Sequence, residues 1–131
     1  MERLLELAKK EKIQVIWTDK LSQTTPPVVS IKQHCIIMNS NWKNHKQTIF
    51  QLAHEIAHII YCDPTDLYLY NRTPAQKLKI ESATNNRALK LMLEIYALPP
   101  ITNINIINFM QDYQIPAHLE SHLCSLIKNM C

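Results

Sequence analysis

The chain has 131 residues, 47% of them hydrophobic and 19% charged, with a formal net charge of +3 and no glycine. That is enough to bury one modest core, and the absence of repeats and low-complexity runs excludes fibrous, solenoid and disordered classes. The charge is too mild for a nucleic-acid footprint, no apolar stretch approaches membrane-spanning length, and the N-terminus is no signal peptide, so a cytoplasmic protein without direct nucleic-acid or membrane contact is expected.

In chain order, Met1 to Glu6 alternates charge with leucine and predicts a short helix. Lys9, Lys10 and Lys12, beside Glu11, read as its solvated end. The runs Ile13 to Trp17, Val28 to Ile31 and Cys35 to Met38 are β-branched or apolar between turn-rich segments, predicting a small antiparallel sheet. The last of the three is placed to flank a cleft, where an edge strand would pair with an extended peptide. Without glycine, turns and helix ends fall to Asn39, Asn41, Asn71, Pro99 and Pro100.

Asn44 and Gln47 fit a capping box, opening a helix that runs to about Cys62 and stops before Asp63-Pro64, because a residue preceding proline avoids helical geometry. Ile49, Leu52, Ala53, Ile56, Ile59 and Ile60 form its buried stripe. The opposite side carries Gln47, Phe50, Gln51, His54, His58 and Tyr61, as the back wall of a cleft would. Within this helix stands His54-Glu55-Ile56-Ala57-His58. Residues four apart differ by only about 40° around a helix axis, so both imidazoles project to one side and can share a metal ion. Glu55, about 100° away from His54, is out of reach as a ligand and well placed to take a proton from an activated water. This is the zinc metallopeptidase arrangement.

Catalytic zinc takes three protein ligands, so one more must come from elsewhere. Thr73-Pro74-Ala75-Gln76 starts a further helix, with threonine as N-cap, proline at the first position and Gln76 in a capping box; it runs to about Ala97. Within it Glu81 is the preferred third ligand, far enough from His58 for a loop and a returning helix to carry it back. Asn85, one turn on, would hold Glu81 or an imidazole in place. Cys62, Asp63, Asp66 and Glu94 compete for the position. Cys62 continues the histidine register, but three ligands along one straight helix would spread over about 12 Å. Tyr61, Tyr68 and Tyr70 border the loop from Cys62 to Arg72, and one of them is a candidate donor to a developing oxyanion.

Beyond Pro99-Pro100, Ile101 to Met110 and a segment opened by Pro116 predict two more helices, the second with Leu119, Leu123, Leu126 and Ile127 at helical spacing. His118 and His122 are again four apart, yet no glutamate adjoins the first, and a surface pair is expected. Cys35, Cys62, Cys124 and Cys131 form no Cys-x-x-Cys pair and read as free thiols.

The motif His54-Glu55-Ile56-Ala57-His58, followed by Glu81-Ser82-Ala83-Thr84-Asn85-Asn86-Arg87-Ala88, resembles the ImmA/IrrE family of small zinc metallo-endopeptidases. The similarity covers about residues 1 to 100, in the order short helix, strands, motif helix and glutamate-bearing helix running into Leu-Pro. Ala57 stands where that family usually has glycine, Thr84 where it has alanine, and Arg87 where it has an apolar residue. The resemblance implies an α+β, mostly helical, zincin-like fold for about residues 1–100; length and composition predict a single domain over 1–131, with the C-terminal helices of 101–131 following that core. The resemblance also implies Zn2+ held by His54, His58 and Glu81, with Glu55 as general base. It further implies an intracellular peptidase whose protein substrate is a helix-turn-helix repressor of a phage or mobile element. The alternative is a catalytically weak zinc-binding regulator that acts on its repressor by binding.

Overall fold

The computed structural model describes residues 1–62, 68–97 and 104–130. The first helix, α1 (Glu2–Lys10), buries Leu4 and Ala8, four residues apart on one face. Its start is tied to the far end of a later helix: the Met1 amino group donates to the Tyr96 hydroxyl at 2.7 Å and Arg3 to the Ile95 carbonyl at 2.6 Å.

Three strands follow, β1 (Gln14–Thr18), β2 (Val28–Ser30) and β3 (Cys35–Asn39), in the order β1-β3-β2. The sheet is mixed. β2 is antiparallel to β3, as the short link between them requires, but β1 runs parallel to β3 with Gln14 opposite Cys35 and Thr18 opposite Asn39. The expected all-antiparallel sheet is therefore corrected, as is the idea that Cys35 to Met38 flanks the cleft. β3 is the central strand, paired on both sides; β1 and β2 are the two outer strands, and β2 is the outer strand beside the cleft. Side-chain alternation reports which face is buried and is blind to strand direction and order. Asn39 organises the connection that makes this topology possible, its buried amide donating to the carbonyls of Ser22 at 2.6 Å and Thr25 at 2.9 Å.

Left-handed backbone falls at Lys12, His34 and Gln114, with φ of 59°, 51° and 49°. None of these is one of the asparagines expected to replace glycine. Asn39 and Asn41 instead stabilise their turn through side-chain hydrogen bonds, a role that needs no unusual φ.

The motif helix, α2 (Thr48–Tyr61), is preceded by a 3-10 turn, His45–Gln47, whose N-cap Asn44 accepts from the Lys46 amide. The expected capping box is not completed: the Gln47 side chain accepts from Trp42 Nε1 at 2.7 Å. α2 ends at Tyr61 and Cys62 is extended, so the helix stops before Asp63-Pro64 as expected. The next long helix, α3 (Pro74–Tyr96), starts as expected, with Thr73 Oγ1 accepting from the Gln76 amide at 3.1 Å and Pro74 in the first turn. Two helices close the domain, α4 (Ile106–Asp112) and, after a 3-10 turn at Ala117–Leu119, α5 (Glu120–Met130), which buries Leu123 and Ile127.

α2 is the centre of the core. Leu52, Ala53, Ile56 and Ile59 are buried as expected, but so are Phe50, Ala57 and His58, while Ile49 and Ile60 are only partly covered. Phe50 is thereby corrected from cleft wall to core. The reason is that α1, the sheet and α3 cover α2 from several sides, so its buried arc is wider than one stripe. Across it, α3 presents Ala88, Leu89, Met92 and Leu93, each fully buried. Replacing Leu89 with alanine is expected to cost about 2–5 kcal/mol. In a thermal melt followed by circular dichroism this lowers Tm by about 10 °C; an unchanged Tm would show that Leu89 is not part of the shared core. Among the described residues no helix is long and apolar enough to cross a membrane.

Candidate metal centre

α2 and α3 bring His54, His58 and Glu81 together. The two Nε2 atoms face the two oxygens of one carboxylate: His54 Nε2 lies 2.9 Å from Glu81 Oε2 and His58 Nε2 lies 3.0 Å from Oε1. The imidazoles, one helical turn apart, stand nearly perpendicular with centroids 4.8 Å apart. His58 is buried and His54 and Glu81 are half-buried; of the three, His58 lines the neighbouring cleft.

Each of these residues offers one donor atom, and the three atoms lie within 4.8 Å of one another. A tetrahedral zinc holds neighbouring nitrogen and oxygen donors about 3.4 Å apart, so the set fits a metal ion with small side-chain adjustments. Two imidazoles and one carboxylate also suit a catalytic rather than a closed structural site, because they leave a position for water.

Two further side chains bear on the cluster. The Tyr70 hydroxyl donates to Glu81 Oε1 at 2.5 Å, and Asn85 contributes to the electrostatics of the His54 ring. Of the three tyrosines, Tyr70 is the one that reaches the centre; its partner is Glu81. Tyr68 and Tyr61 are exposed, stacked under Arg72 and Arg87. Chain proximity to the loop could not separate them.

The electrostatics follow from this packing. Burial would raise the Glu81 pKa, but hydrogen bonds from His54, His58 and Tyr70 outweigh it and hold the carboxyl well below its ordinary 4.5. Burial opposes charge on His54, yet Glu81, Glu55 and Asn85 together leave its pKa above 6.5. Glu55, next to the ligands on α2, is pushed above 4.5 by burial and by Glu81, with both histidines opposing. Burial and the Glu81 carboxylate also push the Tyr70 hydroxyl upward.

The competitors for the third position fare differently. Cys62 lies beside the cleft and is not one of the clustered donors. Glu94 is exposed and stands 13 residues past Glu81 in the same helix, about 20 Å along the axis. Asp63 and Asp66 lie outside the described residues, as does Cys131. His118 and His122 gather no third ligand among the described residues. Cys35, Cys62 and Cys124 form no disulfide among the described residues.

The cleft beside the centre has a volume of about 310 Å³. It is lined by His58, Cys62 and Tyr70, by the outer strand and its continuation from Val29 to Lys32, and by Ile80, Thr84 and Arg87 of α3. The sequence carried no sign that β2 rather than β3 would border it. Arg87 stood out only as an unusual residue for its position.

Comparison with known proteins gives no match: no family model fits the chain, and no curated protein or solved structure is similar to it.

Proposed function

We propose that the chain is a zinc-dependent metallo-endopeptidase. The observation that carries this reading is the closure of Glu81 Oε1 and Oε2 onto the Nε2 atoms of His58 and His54, from a residue 23 positions beyond the motif. The reading takes the α+β arrangement as zincin-like and the whole of 1–131 as one peptidase domain, with about 1–100 as its core. It takes the metal as Zn2+, the preferred divalent ion for a small tetrahedral set of two imidazoles and one carboxylate with an open position.

When bound, zinc would supply Lewis acidity to a water and to the carbonyl under attack. Glu55 accepts the proton that leaves the water as its oxygen bonds to the carbonyl carbon. The same carboxyl then returns that proton to the amide nitrogen as the carbon–nitrogen bond breaks. Tyr70 and Asn85 keep Glu81 and His54 in position, so that the ligands lose little freedom on binding. The buried wall formed by Ala57 and His58 excludes bulk water from one side of this reaction.

A protein substrate is supported by β2. Among the described residues it pairs only with β3, and Val29, Ser30 and the following Ile31 border the cleft. An extended peptide adding to that strand would gain backbone hydrogen bonds with little demand on sequence. The resemblance to the ImmA/IrrE peptidases supplies the rest of the reading: an intracellular enzyme that cleaves a helix-turn-helix repressor of a phage or mobile element.

Incubating the zinc-loaded chain with a helix-turn-helix repressor encoded beside it, and following both by mass spectrometry, tests the proposal. Two repressor fragments are expected, with cleavage stopped by a chelator and restored by added zinc. An intact repressor under zinc saturation would refute it for that substrate class.

A further inference from the structure

Among the described residues, the formally charged side chains that line the cleft are of one sign. Arg87 of α3 and Lys32, just past the end of the outer strand, both border it, while no aspartate or glutamate does so among the described residues. The remaining lining is apolar or neutral, including Val29, Ile31, Ala57 and Ile80. Lys32 is exposed, where water screens it, but Arg87 is half-buried. A cation in that setting gains most from a partner that brings negative charge into the cleft with it.

Arg87 is also held in a particular way. Its guanidinium carbon lies 5.1 Å from the centroid of the Tyr61 ring. A guanidinium on an aromatic face is occupied on its flat side and keeps its N–H donors at the edges, in the fork that matches a carboxylate. The side chain is thus pre-ordered at the start of the cleft, and ordering is the entropy that a long cationic side chain would otherwise lose on binding. Along α3 it stands six residues past Glu81, about 9 Å along the axis. That distance corresponds to roughly three residues of extended peptide. A substrate residue close to the scissile bond therefore comes within reach of it.

Building on the peptidase reading, we propose that Arg87 is the specificity-determining residue of the cleft and selects an aspartate or glutamate side chain in the substrate near the bond cleaved. The substrate carboxylate sits against the edge of the guanidinium, and Lys32, which also borders the cleft, adds attraction. A substrate with a neutral residue there would cover a half-buried cation without pairing it.

The test uses heptapeptides, acetylated and amidated at their ends, in which a central Glu, Gln or Lys is flanked on each side by three alanines. They are titrated against the zinc-supplemented Glu55→Gln chain and followed by NMR chemical shifts. The Glu peptide is expected to bind about tenfold more tightly than the Gln peptide, the range of a charge-assisted hydrogen bond. The difference should vanish in Arg87→Gln, which keeps a helix-compatible side chain, and the Arg87→Glu chain should prefer the Lys peptide. Circular dichroism on each variant confirms that the helices remain. Equal affinity for the Glu and Gln peptides, or a preference that survives Arg87→Gln, would overturn the proposal. The same peptides are offered to the unsubstituted chain: a binding preference for Glu without cleavage would leave the acidic subsite standing and remove the peptidase reading.

Discussion

Glu55→Gln should retain one metal ion per chain and lose peptide-bond cleavage by about 10²–10⁴-fold, the usual contribution of a positioned general base. The substitution preserves shape and removes only the capacity to take a proton. Glu55 lies on α2 between the two histidines, and the clustered donors are His54, His58 and Glu81. Metal content by mass spectrometry and cleavage of the repressor would be read on the same preparation. Near-normal cleavage by the Gln variant would exclude Glu55 as the base. The same variant separates the peptidase from a regulator that acts by binding: a binder would still relieve repression with glutamine at 55, and a peptidase would not.

The second large effect is expected at Glu81. Replacing it with alanine removes the only carboxylate among the clustered donors and leaves two imidazoles of one helix facing an open position. Substituting residues that merely orient ligands typically costs about 10–100-fold in metal affinity, so loss of a ligand itself should exceed about 100-fold. Metal content should fall from one ion per chain to a small fraction of that, in protein purified without chelator or metal-affinity resin. Cys62→Ala and Glu94→Ala provide the contrast, since neither residue belongs to the donor cluster, and both should retain the metal. A Glu81→Ala chain that keeps its full metal content would move the third ligand elsewhere, with Asp63 and Asp66 the next to be substituted. Because Glu81 also accepts from Tyr70, the variant should be checked for retained helix content before its metal content is compared.

The sequence by itself determined the local features, whose causes lie within a few residues of one another. The four-residue spacing of His54 and His58 puts their imidazoles on one side of any α-helix. α2 stops before Asp63-Pro64, and Thr73 with Pro74 starts α3, because an N-cap oxygen and proline geometry act on the adjacent backbone. Glu81 was legible as a candidate donor because it lies on a helix with a defined start, far enough past His58 for the chain to return, and it does cluster with the two histidines.

What only the tertiary structure decided depends on contacts between segments far apart in the chain. β1 pairs parallel to β3, although alternation looks the same for either direction. Phe50 is buried because α2 is covered from several sides, a fact set by its neighbours and absent from its own periodicity. Tyr70 rather than Tyr61 or Tyr68 reaches Glu81 because of where the chain returns before α3. The cleft joins Arg87, Lys32 and His58 from three separate segments. Helix and turn signals act over about one turn of backbone, whereas the shape and charge of a cleft arise where distant surfaces meet, and no short-range pattern encodes that meeting.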